Sequence, residues 1–99
     1  MSMNTKYIIN FASKINYTTF DAVMSRSSKK PLPMTRRMLV YLFFSYGMSI
    51  AELSETFHFV SSYIRKMINL HKSQFKNDEM YKERYMKLKN ECERRKWKK

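Results

Sequence analysis

Ser61, Ser62, Arg65, Lys66, Asn69 and Lys72 recur at intervals of three and four along the chain. On a helix, such intervals gather side chains on one face. Their chemistry is hydrogen bonding and positive charge, not bond making. An arginine can offer a two-pronged donor to guanine, and an asparagine a donor and an acceptor to adenine. Serine and lysine reach phosphate oxygens. A solvated face in any small helical domain carries a similar pattern, so spacing alone leaves groove reading and plain helical packing both open.

Residue types suited to catalysis are sparse. His58 and His71 are far apart in sequence, and Cys92 is distant from both. No Cys-x-x-Cys or His-x-x-x-His spacing is present to hold a metal, and no nucleophile, base and acid form a set. His71 falls on the apolar side of its segment and reads as a core histidine. His58, in a turn, suits a helix cap or a place near a phosphate. No enzymatic activity, cofactor or metal is expected.

The polar face needs elements to hold it. Ser49 and Glu52 form a capping-box pattern, in which the serine accepts from a first-turn amide and the glutamate reaches back to the cap. Ile50, Leu53 and Phe57 then lie along one side of a short helix. After His58-Phe59-Val60, a second helical pattern turns Val60, Ile64, Met67 or Ile68, and His71 inwards, and the polar set outwards. Residues 49–73 therefore predict a helix-turn-helix. Upstream, Met1–Thr5 reads as a frayed end, and Tyr7, Ile8, Phe11, Ala12 and Ile15 line a first helix. Thr18 and Asp21 suggest a second capping box before a short helix with Phe20, Val23 and Met24 inside. Residues 25–33 hold Arg26, Lys29, Lys30 and two prolines without apolar period, and predict a basic loop. Taken alone, that loop reads as a solvated linker. Beside a helix-turn-helix it can reach phosphates or an adjacent minor groove.

A third helix should start at Met34 or Thr35 and stop at Gly47, a residue suited to the left-handed position past a helix end. Its middle, Met38–Phe44, is apolar nearly all round and belongs at the centre of the fold. Arg36 and Arg37 at its amino-terminal end oppose the helix dipole. An anion there would explain them, with Arg36 as a phosphate contact, although exposure to water would also tolerate them. Asn77 or Asp78 can cap a closing helix, 78–95, whose Tyr81, Tyr85, Leu88 and Cys92 form a narrow apolar stripe. Ten Lys and Arg against five Asp and Glu lie between Lys76 and Lys99, and 96–99 form a basic tail. That tail is either disordered or a non-specific phosphate contact.

Ninety-nine residues suffice for one domain with a modest core. One glycine and two prolines leave little turn chemistry for hairpins, which favours helices. The fold class is therefore all-α, a small bundle of five to six helices around a central apolar one. Twenty basic against eight acidic side chains give a net charge of +12. Charge also keeps small proteins soluble, but an excess of this size favours a polyanionic partner. The lone Cys92 rules out an internal disulfide, and Met1–Asn10 has no signal-peptide pattern, so a reducing interior is expected. The longest apolar run falls well short of the roughly 20 residues that span a bilayer.

Taken together, the chain from about Lys6 to Cys92 resembles the C-terminal DNA-binding domain of the bacterial chromosomal replication initiator DnaA. Tyr7–Lys14 with Thr19–Met24 looks like that family's opening helices, and Arg26–Lys30 falls where it has its basic loop. Thr35-Arg36-Arg37-Met38-Leu39-Val40-Tyr41-Leu42 is similar to its Ala-Arg-x-apolar-Ala-Met-Tyr-Leu run. Ser49-Ile50-Ala51-Glu52-Leu53-Ser54-Glu55-Thr56-Phe57 is similar to its Ser-x-x-Glu-Ile-Gly-x-x-Phe helix. The family then reads Gly-Gly-Arg-Asp-His-Thr-Thr-Val, where this chain has His58-Phe59-Val60-Ser61-Ser62-Tyr63-Ile64. The resemblance thus implies a fold, initiator-domain-like or Trp-repressor-like, and a docking mode, but no particular target sequence. No Gly-rich phosphate loop accompanies it, so a free-standing binding module is expected rather than an ATPase. The implied partner is double-stranded DNA, with the second helix of the pair in the major groove. Arg26, Lys29 and Lys30 would lie on the neighbouring minor groove or backbone, and Arg36 and Lys72 on phosphates. A small regulator of replication or transcription, from a phage or mobile element, would act in the cytoplasm or at the nucleoid. The alternative is a small basic interaction protein that binds a protein partner, RNA or another polyanion without sequence preference.

Overall fold

A computed structural model describes residues 1–98, which form six helices and no strand. They are α1 (Met3–Ile15), α2 (Phe20–Met24), α3 (Leu32–Ser45), α4 (Ile50–Phe57), α5 (Ser61–Asn77) and α6 (Glu79–Arg94). The expected central helix is α3. Met38, Leu39, Val40, Leu42 and Phe43 are all buried, and α1, α2, α4 and α5 pack around it. A helix this apolar belongs where neighbours cover most of it, although Phe44 near its end is exposed and Tyr41 half-buried.

Local chemistry sets most boundaries. At α4, Ser49 Oγ accepts from the Glu52 N–H at 3.1 Å and Glu52 Oε1 accepts from the Ser49 N–H at 3.0 Å, the reciprocal pair that the sequence predicts. Asp78, not Asn77, caps α6 through the Tyr81 N–H at 3.1 Å. Thr19, one residue after the expected Thr18, caps α2. Helix α3 starts earlier than expected, at Leu32, so the basic loop is shortened from its carboxyl end.

Four helices, α1, α3, α4 and α6, end alike. A left-handed residue is followed by an N–H that donates to the carbonyl five positions back. The pairs are Thr18 to Ser13, Met48 to Phe43, Phe59 to Ser54 and Trp97 to Cys92. This bond satisfies a carbonyl that the helix itself leaves unpaired. Only Gly47, at φ +106°, uses glycine for the turn; Tyr17, His58 and Lys96 hold the others.

Both ends of the chain depart from expectation. Met3 already belongs to α1, with Ser2 as its cap, and Thr5 is buried, so 1–5 is not a frayed end. The reason is Trp97, whose Nε1–H donates to Thr5 Oγ1 at 3.2 Å and whose ring stacks on Phe43 with centroids 4.8 Å apart. At 3% exposure Trp97 is core and anchors the tail, while Lys96 and Lys98 on either side of it are exposed. Lys99 lies outside the described residues. Among the described residues no helix is long and apolar enough to cross a membrane.

Candidate nucleic-acid interface

Helices α4 and α5, joined by His58-Phe59-Val60, occupy the stretch expected as a helix-turn-helix over 49–73, with α5 running on to Asn77. Its inner side is fixed by Ile64, Met67, Ile68 and His71, all buried against α3, α4 and α6. Burying apolar side chains of this size contributes about 1.5–3 kcal/mol each. His71 adds an orienting contact. Its ring stacks on Tyr41 with centroids 3.9 Å apart, and its Nδ1 lies 2.5 Å from the Tyr81 hydroxyl. Burial, with the Arg37 charge beside it, pulls the His71 pKa down to about 4, so the ring is neutral at pH 7.

With that side locked, the opposite side has one orientation. Ser62, Arg65, Lys66, Asn69 and Lys72 are exposed, and Ser61 is half-buried in the first turn. Sequence reading stopped short of two further members. Lys76 extends the exposed row by one turn, as the interval of three to four from Asn69 and Lys72 already indicates. Leu70 is an exposed apolar side chain on the same helix. Val60, expected on the inner side, is instead 69% exposed at the cap of α5, because the chain is still extended there and the helix begins only at Ser61.

The basic loop is ordered by its serines. Ser25 Oγ donates to the Ala22 carbonyl at 2.6 Å and accepts from the Ser27 N–H at 3.2 Å, and Ser27 Oγ accepts from the Lys29 N–H at 3.2 Å. Each bond is a local side-chain turn of the kind serine favours. Arg26, Lys29 and Lys30 are all exposed on this frame.

Arg36 is not a phosphate contact. It is buried, 2% exposed, with its guanidinium spent on backbone carbonyls. Nε donates to Val23 at 2.7 Å, Nη1 to Ser27 at 2.6 Å, and Nη2 to Ser25 at 2.6 Å and Ala22 at 3.2 Å. These oxygens are the open carboxyl end of α2 and the start of the loop, which supply the negative end of a dipole where the sequence suggested an anion. Its neighbour Arg37 hydrogen-bonds Gln74 on α5. The Arg36 guanidinium also lies over the Phe59 ring, 5.6 Å from its centroid, in the turn of the helix-turn-helix. The loop and the turn thus share one buried cation.

No protein-family model matches the chain, and no curated protein or solved structure matches it significantly. What the surface can do follows from its own chemistry: it can donate hydrogen bonds and neutralise negative charge along α5 and the loop. Between them, Lys30, Arg37 and Arg84 line a cleft of about 540 Å³ whose one carboxylate is Asp78. That carboxylate is engaged by the Tyr81 N–H and by Gln74.

Proposed function

We propose that this protein binds double-stranded DNA, with α5 in the major groove and the 25–31 loop on the neighbouring minor groove or backbone. The observation that carries the reading is the outward, solvent-facing row Ser62, Arg65, Lys66, Asn69 and Lys72 on the second helix of a helix-turn-helix in a chain of net charge +12. Arg65 offers a fork to guanine and Asn69 a matched pair to adenine, each worth about 1–3 kcal/mol of discrimination. Arg26, Lys29, Lys30 and Lys72 supply phosphate contacts. The motif resemblance to the initiator's DNA-binding domain supports the same docking, in a small regulator of replication or transcription inside a bacterial or phage-infected cell.

Two measurements test this. Affinity for random duplex should fall steeply as salt rises, and a flat response removes the proposal. Arg65→Ala should weaken sites selected from a random duplex pool by about tenfold or more while affecting random duplex less. Exposed Leu70 favours one competing reading, a protein-binding face on α5. A gel-shift panel of duplex DNA, structured RNA and heparin separates the readings. Groove docking requires a preference for duplex, and equal binding to all three indicates bulk charge.

A further inference from the structure

Arg36 touches two parts of the molecule that sequence places far apart. Four of its hydrogen bonds end on carbonyls of Ala22, Val23, Ser25 and Ser27, which bracket Arg26. Its guanidinium carbon lies over the ring of Phe59, between α4 and α5. Phe59 is itself held: its carbonyl accepts from Ser54 Oγ, its N–H donates to the Ser54 carbonyl at 3.2 Å, and its ring packs edge-on to Tyr63. Ser27 then passes the constraint on, since its Oγ accepts from the Lys29 N–H. No lysine could replace this, because one ammonium on a flexible stem cannot serve four diverging carbonyls and an aromatic face together.

We infer that Arg36 is a positioning residue that fixes the basic loop at a set offset from the helix-turn-helix, so that Arg26, Lys29 and Lys30 meet the same duplex as α5. The inference rests on the proposed duplex binding. Its mechanism is preorganisation. A loose loop would lose conformational freedom on binding, and a loop already held loses little. Arg36 therefore strengthens binding without touching the nucleic acid.

The test uses the full chain with Arg36→Lys and Arg36→Met, both checked for unchanged helix content. Without DNA, trypsin should cut after Arg26 and Lys29 about tenfold faster in either variant, because cleavage follows the open population of the loop. With duplex DNA, Arg36→Lys should weaken binding about tenfold when Arg26, Lys29 and Lys30 are present, and hardly at all in an Arg26→Ala, Lys29→Ala, Lys30→Ala background. Equal losses in both backgrounds overturn the inference, since general destabilisation or a direct phosphate contact would act regardless of the three loop cations. Unchanged trypsin cleavage overturns it as well. If Arg36→Met fails to fold, Arg36→Lys alone decides. A wild-type chain that ignores duplex DNA overturns the binding proposal itself, an outcome distinct from binding that survives without any dependence on the loop.

Discussion

His71 is the residue whose burial has the clearest consequence in solution. Its pKa falls from an ordinary 6.5 to about 4 because the ring is buried beside Arg37, so the unfolded chain takes up a proton that the folded one refuses. Stability should be fully present above about pH 6.5, decline as pH falls towards 4, and level off below. The loss approaches about 3 kcal/mol at most. Urea unfolding across that range checks it, and His71→Gln should flatten the slope. Glu91 acts in a lower window. Two hydrogen bonds from Arg94 and one from the Tyr7 hydroxyl hold its carboxyl at about pH 2. Its contribution is present above pH 4.5 and fades towards pH 2. His71 was readable as a core residue from its place on the apolar side of the segment. Its partners Tyr41 and Tyr81 were not, because each lies on a different helix.

At the scale of elements, the end of α6 combines strain with anchorage. Lys96 adopts φ +53° so that Trp97 can turn back into the core, where it also packs edge-on to Tyr46. A side chain in that conformation is disfavoured, and Lys96 is exposed. Lys96→Gly should therefore raise stability by about 0.5–1 kcal/mol, measured by thermal unfolding. Trp97→Ala should lower it by about 3–5 kcal/mol, since it empties a site shared by α1 and α3 and removes one of the two donors, with the Ser2 hydroxyl, to Thr5 Oγ1. Unchanged stability in the second variant would mean that the tail is not docked. The α4 cap was legible because Ser49 and Glu52 are three residues apart and need no tertiary partner. The α6 anchor was not, because Trp97 stands among lysines and arginines and its partner Thr5 is at the other end of the chain.

For the whole molecule, charge and fold make one joint prediction. Replacing Arg26, Lys29 and Lys30 together by alanine should reduce the slope of log affinity against log salt by about 2–3, roughly 0.9 for each phosphate that is no longer neutralised. A change near zero would remove the loop from the interface while leaving α5 in it. The same triple variant should melt like the parent, because all three side chains are exposed and the bonds that order the loop come from serines and Arg36.

Sequence by itself determined the helical class, the capping box of α4, the turn at His58–Val60 and which side of α5 faces outwards. All of these follow from interactions within a few residues, and helical period carries them directly. Tertiary structure alone decided the role of Arg36 and the burial of Trp97 and Thr5. Those depend on groups brought together across long stretches of chain, and an arginine in the first turns of an apolar helix reads the same whether its partner is a phosphate or a row of carbonyls. Only the packing of α2 against α3 distinguishes the two.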